Sequence, residues 1–137
     1  MEVKSKSDDV FVDSNFFCAF YNPKDALHAK ALSLAEKLSL SKARLWISNY
    51  IFLEVVTIIS QRVGKKEGVI VGNKIVNVDF VSNIHIDEPI HQLSWELFKQ
   101  VSKKDPSFVD VSIIAAMKAA NIPKLLTFDK NLIQIAK

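Results

Sequence analysis

Short apolar runs alternate along this chain with longer stretches in which apolar side chains return every three or four residues. Val10-Phe11-Val12, Arg44-Leu45-Trp46-Ile47, the segment from Val81 to Ile86, and Lys124-Leu125-Leu126-Thr127-Phe128 have the length and composition of strands. Between them the helical period takes over. Ser14 or Asn15 is placed to cap a short helix that ends at Asn22-Pro23-Lys24-Asp25. A second helix is predicted from Ala26 to Leu40, with Leu27, Ala31, Leu34, Ala35 and Leu38 on one stripe. Ser48 or Asn49 opens a long helix through Val63, stopped near Gly64 and followed by a helix from Lys66 to Val76. Asp87-Glu88-Pro89 is a helix start, with Ile90, Leu93, Leu97 and Val101 as its apolar face. Asp105-Pro106-Ser107 punctuates before a helix from Phe108 to Ala120, and a short helix follows Asp129.

Strands alternating with helices predict one α/β domain over residues 1–137, a three-layer α/β/α sandwich around a parallel sheet. Residues 1–9 read as a flexible polar N-terminus with no signal-peptide pattern. Composition adds little to this picture. Hydrophobic residues make up 49% and charged residues 24%, which excludes a disordered chain, and no apolar run is long enough to span a bilayer. One cysteine, Cys18, excludes an internal disulfide and fits the cytoplasm, and its apolar neighbours favour an inert, buried thiol. Three scattered histidines offer no zinc site. The net charge of +3 permits contact with a polyanion without requiring it.

The chemistry lies in four acids. Asp13 directly follows the first predicted strand and Asp129 the last, so both belong at the rim where parallel sheets bind ligands. Glu54 interrupts Ile51-Phe52-Leu53 and Val55-Val56 in a helix that reads as buried over much of its circumference, and Asp110 interrupts Phe108-Val109 and Val111. A charge in such company is costly unless it is paired or binds a metal. Each acid also has a structural explanation. Asp13 suits a strand-to-helix turn, Asp129 suits a cap, Ser107 and Asp110 have capping-box spacing, and Glu54 can pair with Arg62. Four converging acids repel one another and raise their own pKa values, and a divalent cation such as magnesium is the natural counter-ion for an all-oxygen set.

The motifs Val-Phe-Val-Asp13-Ser14-Asn15, Ile47-Ser48 with Glu54-Val55, Ser107-Phe108-Val109-Asp110-Val111 and Leu125-Leu126-Thr127-Phe128-Asp129 together resemble the PIN-domain family, and within it the VapC-type toxin ribonucleases. The likeness runs from Val10 to Ile135. It implies hydrolysis of RNA phosphodiester bonds to a 5′-phosphate and a 3′-hydroxyl, with Asp13, Glu54, Asp110 and Asp129 holding one or two magnesium or manganese ions. Ser14, Asn15 and Thr127 then become candidates for orienting the acids, with turn and cap roles as the other reading. Many family members carry a further aspartate, followed by an aromatic residue, where this chain has Asn131 and Leu132. Asn131 can still orient water or a metal ligand but adds no charge, which weakens a second metal position.

Arg62, Lys65, Lys66 and Lys130 are candidates for RNA-backbone contact; Trp46 and Trp95 can in principle stack on bases, but core packing is the expectation for both. The resemblance further implies an antitoxin partner and a homodimer, for which Val69 to Val76 offers an apolar surface. The non-enzyme alternative is a degenerate PIN module serving as an RNA- or protein-binding scaffold. Other acidic α/β enzymes fit less well. A haloacid-dehalogenase-like phosphatase needs a second aspartate where Asn15 stands, and a receiver domain needs a lysine where Asp129 stands.

Overall fold

A computed structural model describes residues 8–102 and 106–136. Its strands are β1 (Val10–Val12), β2 (Leu45–Ser48), β3 (Val81–Ile84) and β4 (Lys124–Leu126). The helices are α1 (Ser14–Tyr21), α2 (His28–Leu40), α3 (Asn49–Arg62), α4 (Lys65–Val76), α5 (Glu88–Gln100), α6 (Phe108–Ala120) and α7 (Lys130–Ile135). The sheet is parallel throughout, in the order β3-β2-β1-β4. The chain thus winds outward from β1 through β2 to β3, then returns to the far side of β1. Right-handed crossovers place α1 to α4 on one face of such a sheet and α5 with α6 on the other. The expected three-layer α/β/α sandwich is the one observed.

Strand order also fixes where a ligand belongs. The winding reverses at β1 and β4, which leaves a crevice beyond the carboxyl ends of these two strands. Val10 pairs with Lys124, Phe11 with Leu125 and Val12 with Leu126, and the Asp13 N–H adds one more bond to the Leu126 carbonyl (3.0 Å). Both chains then part, delivering residues 13 and 127–129 to the same crevice.

Several element boundaries differ from the sequence pattern, each for a local reason. The cap of α1 is Asp13, not Ser14 or Asn15, because its carboxylate accepts from the Ser14 N–H. Helix α2 starts at His28 because the Asn22 and Asp25 side chains accept from the N–H groups of Lys24 and Leu27 and hold the preceding residues in turns. Strand β3 ends at Ile84, since the Ile86 N–H leaves the ladder for the Asn49 side chain (2.6 Å). Strand β4 ends at Leu126, since the Phe128 N–H turns to Asn15 Oδ1 (3.2 Å). Ser48 caps α3, Asp87 caps α5, and Ser107 with Asp110 forms a complete capping box on α6. Of the polar N-terminus, residues 1–7 lie outside the described residues, as does Asp105. Asp9 does not belong to a flexible tail. It is buried, and it accepts from Trp46 Nε1 (2.9 Å) and the Arg44 N–H (3.2 Å).

The core gathers around β1 and β2, with Phe11, Trp46, Ile51, Val55, Ile59, Ile113 and Leu132 buried. Helix α3 buries Ile51, Val55 and Ile59, with Phe52 and Ile58 partly buried beside them, and leaves Leu53 65% exposed, so the helix is covered over much of its circumference but keeps one solvent-facing stripe. The acid on this helix sits at the margin of the apolar stripe. Helix α5 is more peripheral than its pattern suggests, because it packs chiefly on α6 and fully buries only Ser94.

Helices α3 and α4 approach closely through Gly68 and Gly72. A Cβ on Gly68 would collide with Ser60 Oγ and lie 3.3 Å from the Val56 carbonyl. Gly68→Val is therefore expected to lower stability by about 1–3 kcal/mol, the usual range for overpacking. Urea denaturation measures this, and an unchanged midpoint would show that the helix pair can separate at no cost.

Candidate active site

Asp13 ends β1 and caps α1, and its position makes it the most confined of the four acids. It is 3% exposed. One carboxylate oxygen accepts from the Ser14 N–H (2.7 Å), and the other accepts from the Thr127 hydroxyl (2.7 Å). Burial pushes its carboxyl up to about 6; the Thr127 and Ser14 bonds pull against that rise, while Asp110 and Glu54 add to it by repulsion. Glu54, six residues beyond the Ser48 cap of α3, accepts a hydrogen bond from the Ser14 hydroxyl. Ser14 therefore touches two acids through two different groups, its N–H and its hydroxyl.

Thr127 links the other side. Its hydroxyl donates to Asp13 and accepts from Asn15 Nδ2 (3.1 Å) and from the Asp129 N–H (3.0 Å). Asn15 returns through its carbonyl oxygen to the Phe128 N–H. This reciprocal clamp joins the first turn of α1 to the loop after β4 and fixes Asp129 relative to Asp13. Asp129 in turn caps α7, accepting from the Asn131 N–H (2.9 Å) and more distantly from that of Leu132 (3.5 Å). Asn131 thus meets the site through its backbone.

Asp110 lies in the first turn of α6, where its carboxylate accepts from the Ser107 N–H (2.9 Å). Burial raises its pKa and repulsion from Asp129 raises it further, opposed by the bonds to Ser107. The capping reading of this residue is the one observed, and the capped turn also carries the acid to the crevice, where it faces Asp13 and Asp129. All four acids are within electrostatic reach of a neighbour in the set, with Asp13 facing Glu54 and Asp110, and Asp110 facing Asp129. Among the described residues no cation forms an ion pair with any of them. The pairing of Glu54 with Arg62 is not made; Glu54 takes Ser14 instead.

Thr127→Val keeps the shape of the side chain but removes three hydrogen bonds at the centre of the clamp. A loss of about 1–3 kcal/mol in stability is expected from the buried groups left unpaired. Thermal denaturation of the metal-free variant provides the measurement, and an unchanged transition would mean that the clamp carries no energy.

The RNA-backbone candidates separate into two groups. Lys130 is exposed and adjoins Asp129, but Arg62 is eight residues beyond Glu54, about 12 Å further along the helix axis, with Lys65 and Lys66 beyond it. Lys30 was not apparent from the sequence. Its Nζ lies 5.5 Å from the centre of the Phe128 ring, next to Asp129, and only the tertiary fold brings it there. Cys18 is buried, and desolvation pushes its thiol up to about 11, as an inert core cysteine requires.

The donor set is all oxygen and rich in negative charge, which suits magnesium or manganese. Among the described residues no three acid, histidine or cysteine side chains converge on a single ion position. Each acid is held by Ser14, Thr127, Ser107 or the start of α7.

A doubly wound parallel sheet with four acids at its switch point is the arrangement of a PIN domain. The PIN-domain family model matches residues 10–137, and the chain belongs to that family. It is 27% identical over 125 residues to the 23S rRNA-specific endonuclease VapC20 of Mycobacterium tuberculosis, in strain CDC 1551 / Oshkosh and equally in strain ATCC 25618 / H37Rv, with 88% of each chain covered. The crystal structure of Mycobacterium tuberculosis VapC20, described as a sarcin-ricin loop cleaving toxin, superposes with a TM-score of 0.84 at 24% identity. That alignment covers 93% of this chain and 95% of the other, and shows that the fold is shared.

Proposed function

We propose that this chain is a metal-dependent endoribonuclease that hydrolyses RNA phosphodiester bonds as the toxin of a toxin–antitoxin pair. The observation that carries the reading is Asp13, a buried carboxyl pushed up to about 6, facing Glu54 and Asp110 with no cation of the described residues paired to it. Such a site is unfavourable for a scaffold and suitable for a divalent ion. Asp13, Glu54, Asp110 and Asp129 would hold magnesium or manganese, directly or through water. When bound, the metal supplies positive charge to the developing charge on the scissile phosphate.

The protein's own groups supply orientation. Ser14 and Thr127 fix the carboxylates of Glu54 and Asp13, Asn15 holds the Asp129 loop against α1, and Asn131 holds Asp129 through its N–H. Lys130 and Lys30 stand where RNA phosphates would enter, and Arg62, Lys65 and Lys66 would contact the strand farther from the cut. The matched relatives act on 23S rRNA, so ribosomal RNA is the first substrate to test. No helix of the described residues is long and apolar enough to cross a membrane, and we assign the activity to the cytoplasm. A homodimer formed through the exposed Val69, Ile70 and Val76 of α4, and an antitoxin covering the acidic crevice, complete the reading.

The test is incubation of the purified protein with ribosomal RNA in EDTA, in magnesium and in manganese. Metal-dependent products bearing a 5′-phosphate support the proposal. RNA left intact in both metals overturns it and leaves the scaffold alternative.

A further inference from the structure

Trp95, expected in the core, is 44% exposed. It belongs to a group of aromatic side chains that begins beside the four acids. Tyr50 is four residues before Glu54, one turn earlier on the same face of α3, and its hydroxyl meets His91 Nδ1 at 2.6 Å. The His91 ring lies 5.4 Å from that of Phe108, which shares the first turn of α6 with Asp110. Phe108 in turn contacts Trp95 (6.2 Å) and Phe98 (5.6 Å). Trp95 and Phe98 are close to parallel, with 21° between their planes, and Lys99 Nζ lies 5.9 Å from the centre of the indole.

We infer that Trp95, backed by Phe98 and Phe108, is a stacking platform for an unpaired base of the RNA next to the cut. The inference rests on the ribonuclease reading above. Three features select a nucleic-acid base as the occupant. Trp95 is aromatic and partly exposed, so it can stack on any base, and Lys99, which stands over the same ring paired with Glu96 (3.0 Å), can exchange that carboxylate for a phosphate. The platform connects to the acidic crevice through Tyr50, one turn before Glu54 on the same face of α3, whose hydroxyl meets His91, and through the His91 ring to Phe108. It lies on α5 and α6, away from the exposed Val69, Ile70 and Val76 of α4 assigned above to a second copy of the chain.

The experiment compares wild type, Trp95→Leu and Trp95→Phe on short single-stranded RNAs whose bases are removed one at a time around the cut. Trp95→Leu is expected to raise KM about tenfold with kcat little changed, and Trp95→Phe to recover most of the loss. One abasic position should erase the difference between wild type and Trp95→Leu, identifying the stacked base. Thermal denaturation checks that both variants are folded. Equal loss on every abasic RNA, or an unchanged KM, overturns the platform. A Trp95→Leu variant that changes oligomeric state but not KM also overturns it, in favour of a protein occupant. If the wild type cleaves no RNA, quenching of Trp95 fluorescence by the same oligonucleotides in EDTA still decides the matter. Quenching supports the platform even though the nuclease reading has failed, and no quenching rejects both.

Discussion

Asp13→Asn is expected to reduce RNA cleavage by on the order of 10³-fold while making the metal-free protein more stable at neutral pH. The loss of activity follows from the position of Asp13, which ends β1 at the point where the sheet's winding reverses and faces two of the other three acids. The gain in stability follows from its burial. Its carboxyl titrates near 6 in the folded protein against an ordinary value of 3.8, so the folded state binds this proton more tightly than the unfolded chain does. The stability tied to this group is therefore fully present below pH 3.8 and is lost as pH rises through about 6. Above that range the buried charge costs about 3 kcal/mol, and an uncharged asparagine recovers part of it. The recovery is partial because the amide must place an NH₂ where Thr127 now donates. Urea denaturation in EDTA at pH 4.5, 5.5 and 7.5 should show Asp13→Asn gaining on the wild type as pH rises. A constant difference, or an active variant, would remove Asp13 from the centre of the site.

The second large effect is on pH and metal together. Protons and a divalent cation compete for the same carboxylates, so below about pH 6 the apparent metal affinity should fall, approaching tenfold per pH unit for each proton displaced. Cleavage at fixed, subsaturating magnesium should then fall about tenfold between pH 6 and pH 5, and raising magnesium should restore it. The same linkage predicts that magnesium raises the thermal transition at pH 7.5, by about 5 °C at ten times its dissociation constant, and much less at pH 5. Asp110, whose pKa is also raised, steepens the dependence. An acid limb that excess magnesium does not shift would mean that proton and metal do not share these sites.

The alternation of apolar runs was enough to locate every strand and helix of the described residues, because caps such as Ser48, Asp87 and Ser107 are written directly in the sequence. The four acids were legible for a related reason. Asp13 and Asp129 stand at strand ends, and Glu54 and Asp110 interrupt apolar runs; three of them also serve as helix caps, so it is their common rim more than any one position that sets them apart. Contacts across the chain were not legible. Nothing near Asn15 indicates Thr127, 112 residues away, and nothing in α2 indicates that Lys30 reaches Phe128. Asp9 looked like part of a charged tail because its partner Trp46 lies 37 positions later. Trp95 was misplaced because a helical stripe shows which residues share a face, but not whether another layer covers it.

The pairing of β1 with β4 has a consequence for when a cell can encounter this chemistry. The crevice needs Asp13 from the beginning of the chain and Asp129 from near its end, and the clamp that aligns them spans 112 to 114 positions of sequence. A nascent chain emerging from the ribosome therefore carries only Asp13 and Glu54 until residue 110 is added, and then three acids without the strand that completes their alignment until residue 124. If the four acids act as proposed, competence arrives only with the docking of β4, and a chain stalled or cleaved before residue 124 is expected to leave RNA intact, so that the order of synthesis would be a first safeguard.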